Sequence, residues 1–316
     1  FIKGYTWQVL HQRNYWLLLA LRLWLQRVWF GHQTTLMLLK TKSVKGGDSM
    51  TAPTKLNSFN GTGYGEKASL TIPVGPTYEE IFIETNLNAS QLQRVSISLN
   101  ADEIIVLDGD MMKKLEAYKG LTQTDGFFTI PLSDITAKTK NGVRYTGLVT
   151  ELGDNITLEV EIADNSNANP PAIKLQAWAT VSARQDVRVV VPKIKKQTMQ
   201  ATSTENEFLE LVSGPLQLVR RMHFMSDQIH SLQIYRDFVK VFDASKGLEE
   251  MRAKRNRRFW QTGCFHFDPI MRGFYIDELF PTMHSSELKF TVKTNKPVGS
   301  IPIIVESVEV VRPDLV

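Results

Sequence analysis

Hydrophobic and polar positions alternate with a period of two through most of the chain. The stretches "ASLTIPV" (Ala68 to Val74), "EIFIET" (Glu80 to Thr85), "VSISL" (Val95 to Leu99), "ITLEVEI" (Ile156 to Ile162), "IKLQAWATV" (Ile173 to Val181), "ELKFTV" (Glu287 to Val292) and "IPIIVESVEVV" (Ile301 to Val311) each carry their apolar residues in one row. Successive side chains of a strand point to opposite faces, so this spacing predicts strands with one buried face. Turn clusters such as "NGTGYG", "KNG" and "DNSNANPP" lie between them, where Gly, Asn, Asp and Pro supply the backbone angles that strands cannot.

Two segments switch to helical spacing. "DGDMMKKLEAYKG" puts Leu107, Met111, Leu115 and Tyr118 on one face, with Asp108 or Asp110 as N-cap and Gly120 as the stop. "DASKGLEEMRAKRNR" again follows an acid, Asp243, read as the matching cap, although Gly247 interrupts it. The strands before these helices also match. "SISLNADEIIVLD" (Ser96 to Asp108) and "SLQIYRDFVKVFD" (Ser231 to Asp243) align at an offset of 135, with Ser96/Ser231, Asp102/Asp237, Val106/Val241 and Asp108/Asp243 identical.

The flanks extend the match. "GPTYEEIFIET" from Gly75 answers "GPLQLVRRMHF" from Gly214, and "FFTIP" (Phe127 to Pro131) answers "FHFDP" (Phe265 to Pro269). Leu158, Val160 and Ile162 answer Leu288, Phe290 and Val292 at an offset of 130, as Ile173 and Leu175 answer Ile303 and Val305. Collinear features with offsets between 130 and 139 imply two copies of one β module. Eight or so short strands with a helical excursion suit a jelly roll. The expected fold is therefore all-β with short helices, two tandem jelly-roll β-sandwiches forming a double jelly roll. Its rolls are expected over residues 50–192 and 209–316, and the polar end of "VVVPKIKKQTMQATSTENE" reads as a linker over 193–208.

Residues 1–49 look unlike the rest. They hold four of the six tryptophans (Trp7, Trp16, Trp24, Trp29) and the apolar run "NYWLLLALRLWLQRVWF". Arg22 interrupts that run, which is short for a membrane span. Two readings stay open: an interfacial Trp/Arg helix, or upstream sequence outside the mature protein, with Met50 as a natural start.

Charge sharpens the division. The net charge of +4 comes from seven Lys/Arg against one acid in residues 1–49, which leaves 30 basic and 32 acidic residues beyond them. The body thus has no overall basicity to draw it to nucleic acid. One cysteine, Cys264, excludes an internal disulfide framework and a thiolate-built zinc site, and its place in "CFHF" suits a buried thiol.

Motifs of chemistry are scarce. No phosphate-binding glycine loop, Gly-x-Ser-x-Gly elbow or His-Glu-x-x-His occurs. His223, His230, His266 and His284 lack metal-ligand spacing and read as surface or satisfied core residues. In "NADEIIVLDGD" the apolar "IIVL" argues against a calcium loop, and Asp108 is better used as a cap than as one of an acid pair. "MRAKRNRRFW" gathers Arg252, Lys254, Arg255, Arg257 and Arg258, which suit a solvated or subunit-pairing face, or contact with lipid headgroups or nucleic acid.

The order of motifs resembles the major capsid proteins of corticovirus-type phages, tailless icosahedral phages with an internal membrane. It is carried by Leu56-Asn57-Ser58, "IPVGPTYE" (Ile72 to Glu79), "SQLQRVSISL" (Ser90 to Leu99) and "SLQIYRDFVKVFDASKGLEEM" from Ser231, across about 260 residues. The residues before Met50 depart from that pattern. The resemblance implies a structural, non-enzymatic protein of the virion, assembled in the bacterial host cytoplasm near the inner membrane. It implies homotrimeric, pseudo-hexameric capsomers, since two rolls in each of three chains make six similar corners. The implied partners are neighbouring capsomers, a vertex (penton) protein and the internal membrane or its proteins, with no sequence-specific nucleic acid. Calcium accompanies such capsids, an implication that attaches to no residue here. The alternative is a tandem β-sandwich that binds or processes carbohydrate, for which the body offers only Trp178 and Trp260 as stacking platforms.

Overall fold

The computed structural model describes residues 51–315, apart from positions 168, 210 and 213. Both readings of residues 1–49 therefore lie outside the described residues.

The first half contains nine strands: β1 (Ala52–Lys55), β2 (Lys67–Thr71), β3 (Thr77–Thr85), β4 (Leu92–Leu99), β5 (Asp102–Leu107), β6 (Phe127–Pro131), β7 (Leu148–Val149), β8 (Ile156–Ile162) and β9 (Leu175–Ser182). Helix α1 (Gly109–Lys119) follows β5, and α2 (Lys140–Thr146) precedes β7. The second half repeats the order with β10 (Val190–Ala201), β11 (Glu205–Leu209), β12 (Gln217–Phe224), β13 (Ile229–Arg236), β14 (Val239–Ser245), helix α3 (Lys246–Arg255), β15 (Phe265–Phe267), helix α4 (Tyr275–Glu278), β16 (Phe280–Pro281), β17 (Leu288–Thr294) and β18 (Gly299–Val310).

Pairing shows the duplication strand for strand. One sheet of the first half runs β1-β9-β3-β6, and its partner runs β2-β8-β4-β5. In the second half, β10-β18-β12-β15 and β11-β17-β13-β14 repeat both orders. Each half is thus a two-sheet sandwich with jelly-roll connections. Apolar rows that alternate in sequence face inward: β8 reads buried at Ile156, Leu158, Val160 and Ile162, with half-exposed residues between. Ile97 and Leu232 lie in corresponding strands, each a central strand flanked by its hairpin partner and by β8 or β17.

Register corrects several sequence-level correspondences. The two hairpins turn at Asn100-Ala101 (φ 51° and 71°) and Asp237-Phe238 (φ 49° and 67°), which places the turns 137 apart rather than 135. Positive φ at both central positions is the hairpin turn that matches strand twist. Asp102 is therefore not the counterpart of Asp237: Asp102 starts β5, whereas Asp237 sits in the turn and accepts from the backbone N–H groups of Ser285 and Ser286. Ile97 faces Leu158 and Ile234, its counterpart at 137, faces Phe290, so β8 and β17 correspond at 132 rather than 130. Asp108 caps α1 through Met111 N–H, but α3 is capped by Ser245 and not by Asp243, which instead bonds Gln233 and Lys240. The reason is register: at the offset of 137 set by the turns, Ser245 and not Asp243 is the counterpart of Asp108.

The expected linker over 193–208 is not one. Residues 190–201 form a twelve-residue strand paired with β18 along its whole length, and 205–209 form β11. Lys195 and Lys196 are exposed and Gln197 is half-exposed, so these side chains are polar while β18 pairs with the strand along one whole edge. The passage between the rolls is the segment 183–189.

Candidate functional site: the seam between the rolls

The two rolls meet where β5 of the first pairs in parallel with β10 of the second, Ile105 opposite Ile194. This bridge joins one sheet of each roll into a nine-stranded sheet. Val191, Ile194 and Ile304 of the second roll belong to the hydrophobic cluster of the first, so the seam has an apolar side.

Its other side is charged. A register shift between Val219 and Arg221 in the pairing of β12 with β18 leaves Arg220 as an extra residue. A bulge re-aims side chains, and Arg220 and Arg221 are consecutive yet both fully buried. Arg220 Nη1 donates to Leu132 O at 2.9 Å, across the seam. The Arg221 fork donates to Asp134 of the first roll, to Asp268 Oδ2 at 3.0 Å and to Tyr275 Oη at 2.8 Å. Tyr275 Oη lies 3.0 Å from Thr136 Oγ1, and Tyr118 of α1 donates to Asp268 Oδ2 at 3.2 Å. Glu306 Oε2 lies 3.7 Å from each of Lys119 Nζ, Arg220 Nη2 and Arg221 Nη1, close enough for charge attraction but too long for hydrogen bonds.

Burial alone would push these carboxyls toward the neutral form. For Asp134 burial is outweighed by the neighbouring Arg221, Lys119 and Arg220, which hold it well below the usual carboxylate range. Glu306 is likewise held low against burial by Lys119 and Arg221, with help from His223 and Arg220. Glu80 behaves oppositely, since burial and then the Glu116 carboxyl push it up to about 7 despite Lys119. Glu116 is also raised, chiefly by burial.

A chain of imidazoles runs into the network. Gln261 N–H donates to His266 Nε2 at 3.3 Å, so that nitrogen is the acceptor and His266 carries its proton on Nδ1. His266 Nδ1–H then faces His223 Nδ1 at 2.7 Å, and His223 donates from Nε2 to Glu306 Oε1 at 2.9 Å. With that proton placement each ring donates from one nitrogen and accepts at the other. His266 is pushed well below the usual imidazole range by burial first and by the neighbouring His223 second. These two histidines are satisfied core residues, whereas His230 is exposed.

The basic run from Arg252 is split by the fold. Arg258 is buried, with Nε 3.7 Å from Asp268 Oδ2, and so belongs to the seam rather than to a contact surface. Arg252 pairs with Glu249, and exposed Lys254 pairs with Glu250 at 2.8 Å. Arg255 and Arg257 are exposed. Arg257 has φ 58° just past α3, as Gly120 has φ 73° at the end of α1, so the chain has left the helix there and Arg257 does not continue a helical stripe. Phe238 (75 %), Val239 (63 %) and Phe259 (60 %) are among the most exposed apolar side chains of the described residues.

Other candidates fall into ordinary roles. Cys264 is buried, and burial pushes its thiol up, which disfavours the thiolate. Trp178 lies on β9 of the first roll and Trp260 packs edge-on to Phe265 and His266 of the second, so they form no common platform. Among the described residues no three His, Cys, Asp or Glu converge to hold a metal ion, and none is assigned to calcium. Among them, too, no helix is long and apolar enough to cross a membrane.

The buried residues of the seam were not singled out by pattern. The available signal was the doublet in each copy, Glu79-Glu80 and Arg220-Arg221, which breaks the alternation of "PTYEEIFIET" and "PLQLVRRMHF".

Residues 53–182 match the family model described as viral coat protein P2 N-terminal domain, and residues 191–311 match that of the viral coat protein P2 C-terminal domain. The chain belongs to the viral coat protein P2 family. The two matches are separated where the first roll ends and β10 begins. Among solved structures, the major capsid protein P2 from bacteriophage PM2 is similar at 18% identity with a TM-score of 0.73, over 83% of this chain and 98% of that one. The STIV MCP is similar at 9% identity and a TM-score of 0.60, over 84% and 98%. The VP54 protein of PBCV-1 is similar at 10% identity and a TM-score of 0.57, over 85% and 96%. At such identities these likenesses speak for the double jelly-roll fold. Comparison with curated protein sequences gives no match.

Proposed function

We propose that this coat protein is the major, non-enzymatic shell subunit of a virion, with three copies ringed into a pseudo-hexameric capsomer of an icosahedral capsid. The observation that carries this reading is the rigid pairing of two rolls of like topology in one chain through a buried seam. Three such chains place six similar rolls around one axis, and six near-equivalent edges tile a surface. Membership of the coat protein family and the likeness to the major capsid protein of bacteriophage PM2 support it. The charged cluster favours the same reading: its groups are sealed and bonded to one another rather than open to a substrate.

An internal membrane, a vertex protein at the fivefold positions and assembly in the bacterial cytoplasm near the inner membrane complete the proposal, on the resemblance in motif order. Native mass measurement of the purified protein tests its core. A three-chain species with a hexagonal outline in negative stain is the expected result. A stable monomer at tens of micromolar, with no regular particles, overturns it.

A further inference from the structure

The internal seam contains the design of a second one. In the first roll, strand β5 at the sheet edge is covered by β10. Its counterpart β14 pairs only with β13 among the described residues, and it leaves Val239 and Val241 63 % and 43 % exposed. Likewise β10 is covered by β5, while its counterpart β1 pairs, among the described residues, only with β9. Each roll therefore has the same two docking edges, and among the described residues one of each is open.

Register says which residues correspond. Ile97 faces Ile105 and Ile234 faces Phe242, so Phe242 stands where Ile105 does and Val241 where Ile104 does. Arg221 faces Glu306 and Glu80 faces Thr180, across the matched bulges. Ile194 also faces Glu306, and Pro53 faces Thr180, so Pro53 stands where Ile194 does. By the same count Trp178, opposite Phe82, stands where Ile304 does, opposite His223. Ile104 and Ile304 are buried, at 1 % and 0 %; Val241 is exposed and Trp178 half-exposed.

Resting on the trimeric reading above, we infer that β14 and α3 of one copy dock on β1 and β9 of the next copy, head to tail, repeating the seam that β5 and α1 make with β10 and β18. Phe242 then lies opposite Pro53 of the second copy in a parallel bridge, with Val241 against Trp178. Charge favours the match. Within the chain, Lys114 Nζ of α1 lies 3.9 Å from Met225 Sδ. The counterparts are Met251 of α3 and Glu84, an exposed acid that accepts from Trp178 Nε1 at 2.7 Å. Exposed Arg255 follows Met251 by one helical turn, which brings a guanidinium to that carboxylate. The contact joins two different patches, so it generates a ring rather than a closed pair.

The test is crosslinking of the intact protein. The double variant Pro53→Cys/Phe242→Cys, oxidised, should give a covalent ladder ending at three chains on non-reducing gels, whereas either single variant should give none. Independently, Arg255→Glu should weaken the trimer at least tenfold by sedimentation, and Arg255→Glu/Glu84→Arg should restore it; both positions are exposed, so folding is preserved. If trimers form but no ladder appears and Arg255→Glu is neutral, the seam assignment falls while the trimeric reading stands. If the parent protein is monomeric, both fall.

Discussion

Replacing Arg221 with Met asks how strongly the ionic side of the seam holds the rolls together. Arg221 is fully buried and donates to Asp134, Asp268 and Tyr275 at once. Met fills most of the volume but leaves Asp134, whose ion-pair partner is Arg221, as a buried carboxylate facing nothing positive at hydrogen-bond range. Breaking such a pair from one side costs about 3–5 kcal/mol, because the abandoned charge cannot return to water. Natural domains are stable by only about 5–15 kcal/mol. In domains of this size each 1 kcal/mol moves the melting temperature by roughly 2–4 °C, so the drop should be roughly 6–20 °C.

Calorimetry at neutral pH measures it, and a double-mutant cycle separates its causes. Asp134→Leu/Arg221→Met removes both charges and should recover a large part of the loss, since replacing a buried pair by apolar groups is often neutral. If Arg221→Met costs less than about 1 kcal/mol, or the double variant is as unstable as the two single losses added, the reading of the network as a mutually dependent lock is wrong.

Two further outcomes follow from the same groups. Glu80 is raised from 4.5 to about 7 in the folded protein, so its contribution is fully present below pH 4.5 and is lost as pH rises through 7. Glu80→Gln should therefore gain roughly 3 kcal/mol on the parent between pH 4 and pH 8 in urea unfolding, and a constant difference across that range would contradict the assignment. His266 is lowered below 6.5, so the stability from its neutral form is present above that pH and is lost as pH falls below it. Nitrogen-15 spectra of labelled histidines at neutral pH should show His266 protonated on Nδ1 and His223 on Nε2; an imidazolium signal from either ring would refute the relay.

Much of the fold was legible because a half-buried strand writes its burial in the sequence. Ile156, Leu158, Val160 and Ile162 alternate with polar residues and bury on one side, and no tertiary knowledge is needed to see it. The repeat was legible in the β4-β5-α1 and β13-β14-α3 units because a hairpin and its helix are local structures. Its register was not, since a shift by two residues keeps every side chain on its own face; that is why an offset of 135 looked as good as 137. The polar half of β10 defeated composition, because pairing with β18 satisfies the backbone whatever the outer side chains are. Arg257 hid for another reason: a left-handed residue after a helix is expected to be glycine, as Gly120 is, and an arginine there gives no warning. As a result Arg258 was counted with the surface charges although the chain turns it inward.

The charged residues of the seam also explain why two like rolls make a directed joint. At the matched bulges one copy carries Glu79-Glu80 and the other Arg220-Arg221. Lys119 stands among them as a favourable neighbour of both Glu80 and Glu306, while Arg221 lies between Asp134 and Asp268. Signs thus alternate from one roll into the other. Had both copies kept the same doublet, like charges would have been buried together, and each buried charge without an opposite neighbour costs several kcal/mol. An apolar contact is non-directional and tolerates some rotation, but the Arg221 fork, held by Asp268 and Tyr275 of its own roll, reaches Asp134 of the first roll only at one setting of the two. That setting matters in the proposed ring, where an angular error at one seam recurs at each of the others and prevents closure. The divergence of the doublets is therefore better read as fixing the angle between the rolls than as adding to their affinity.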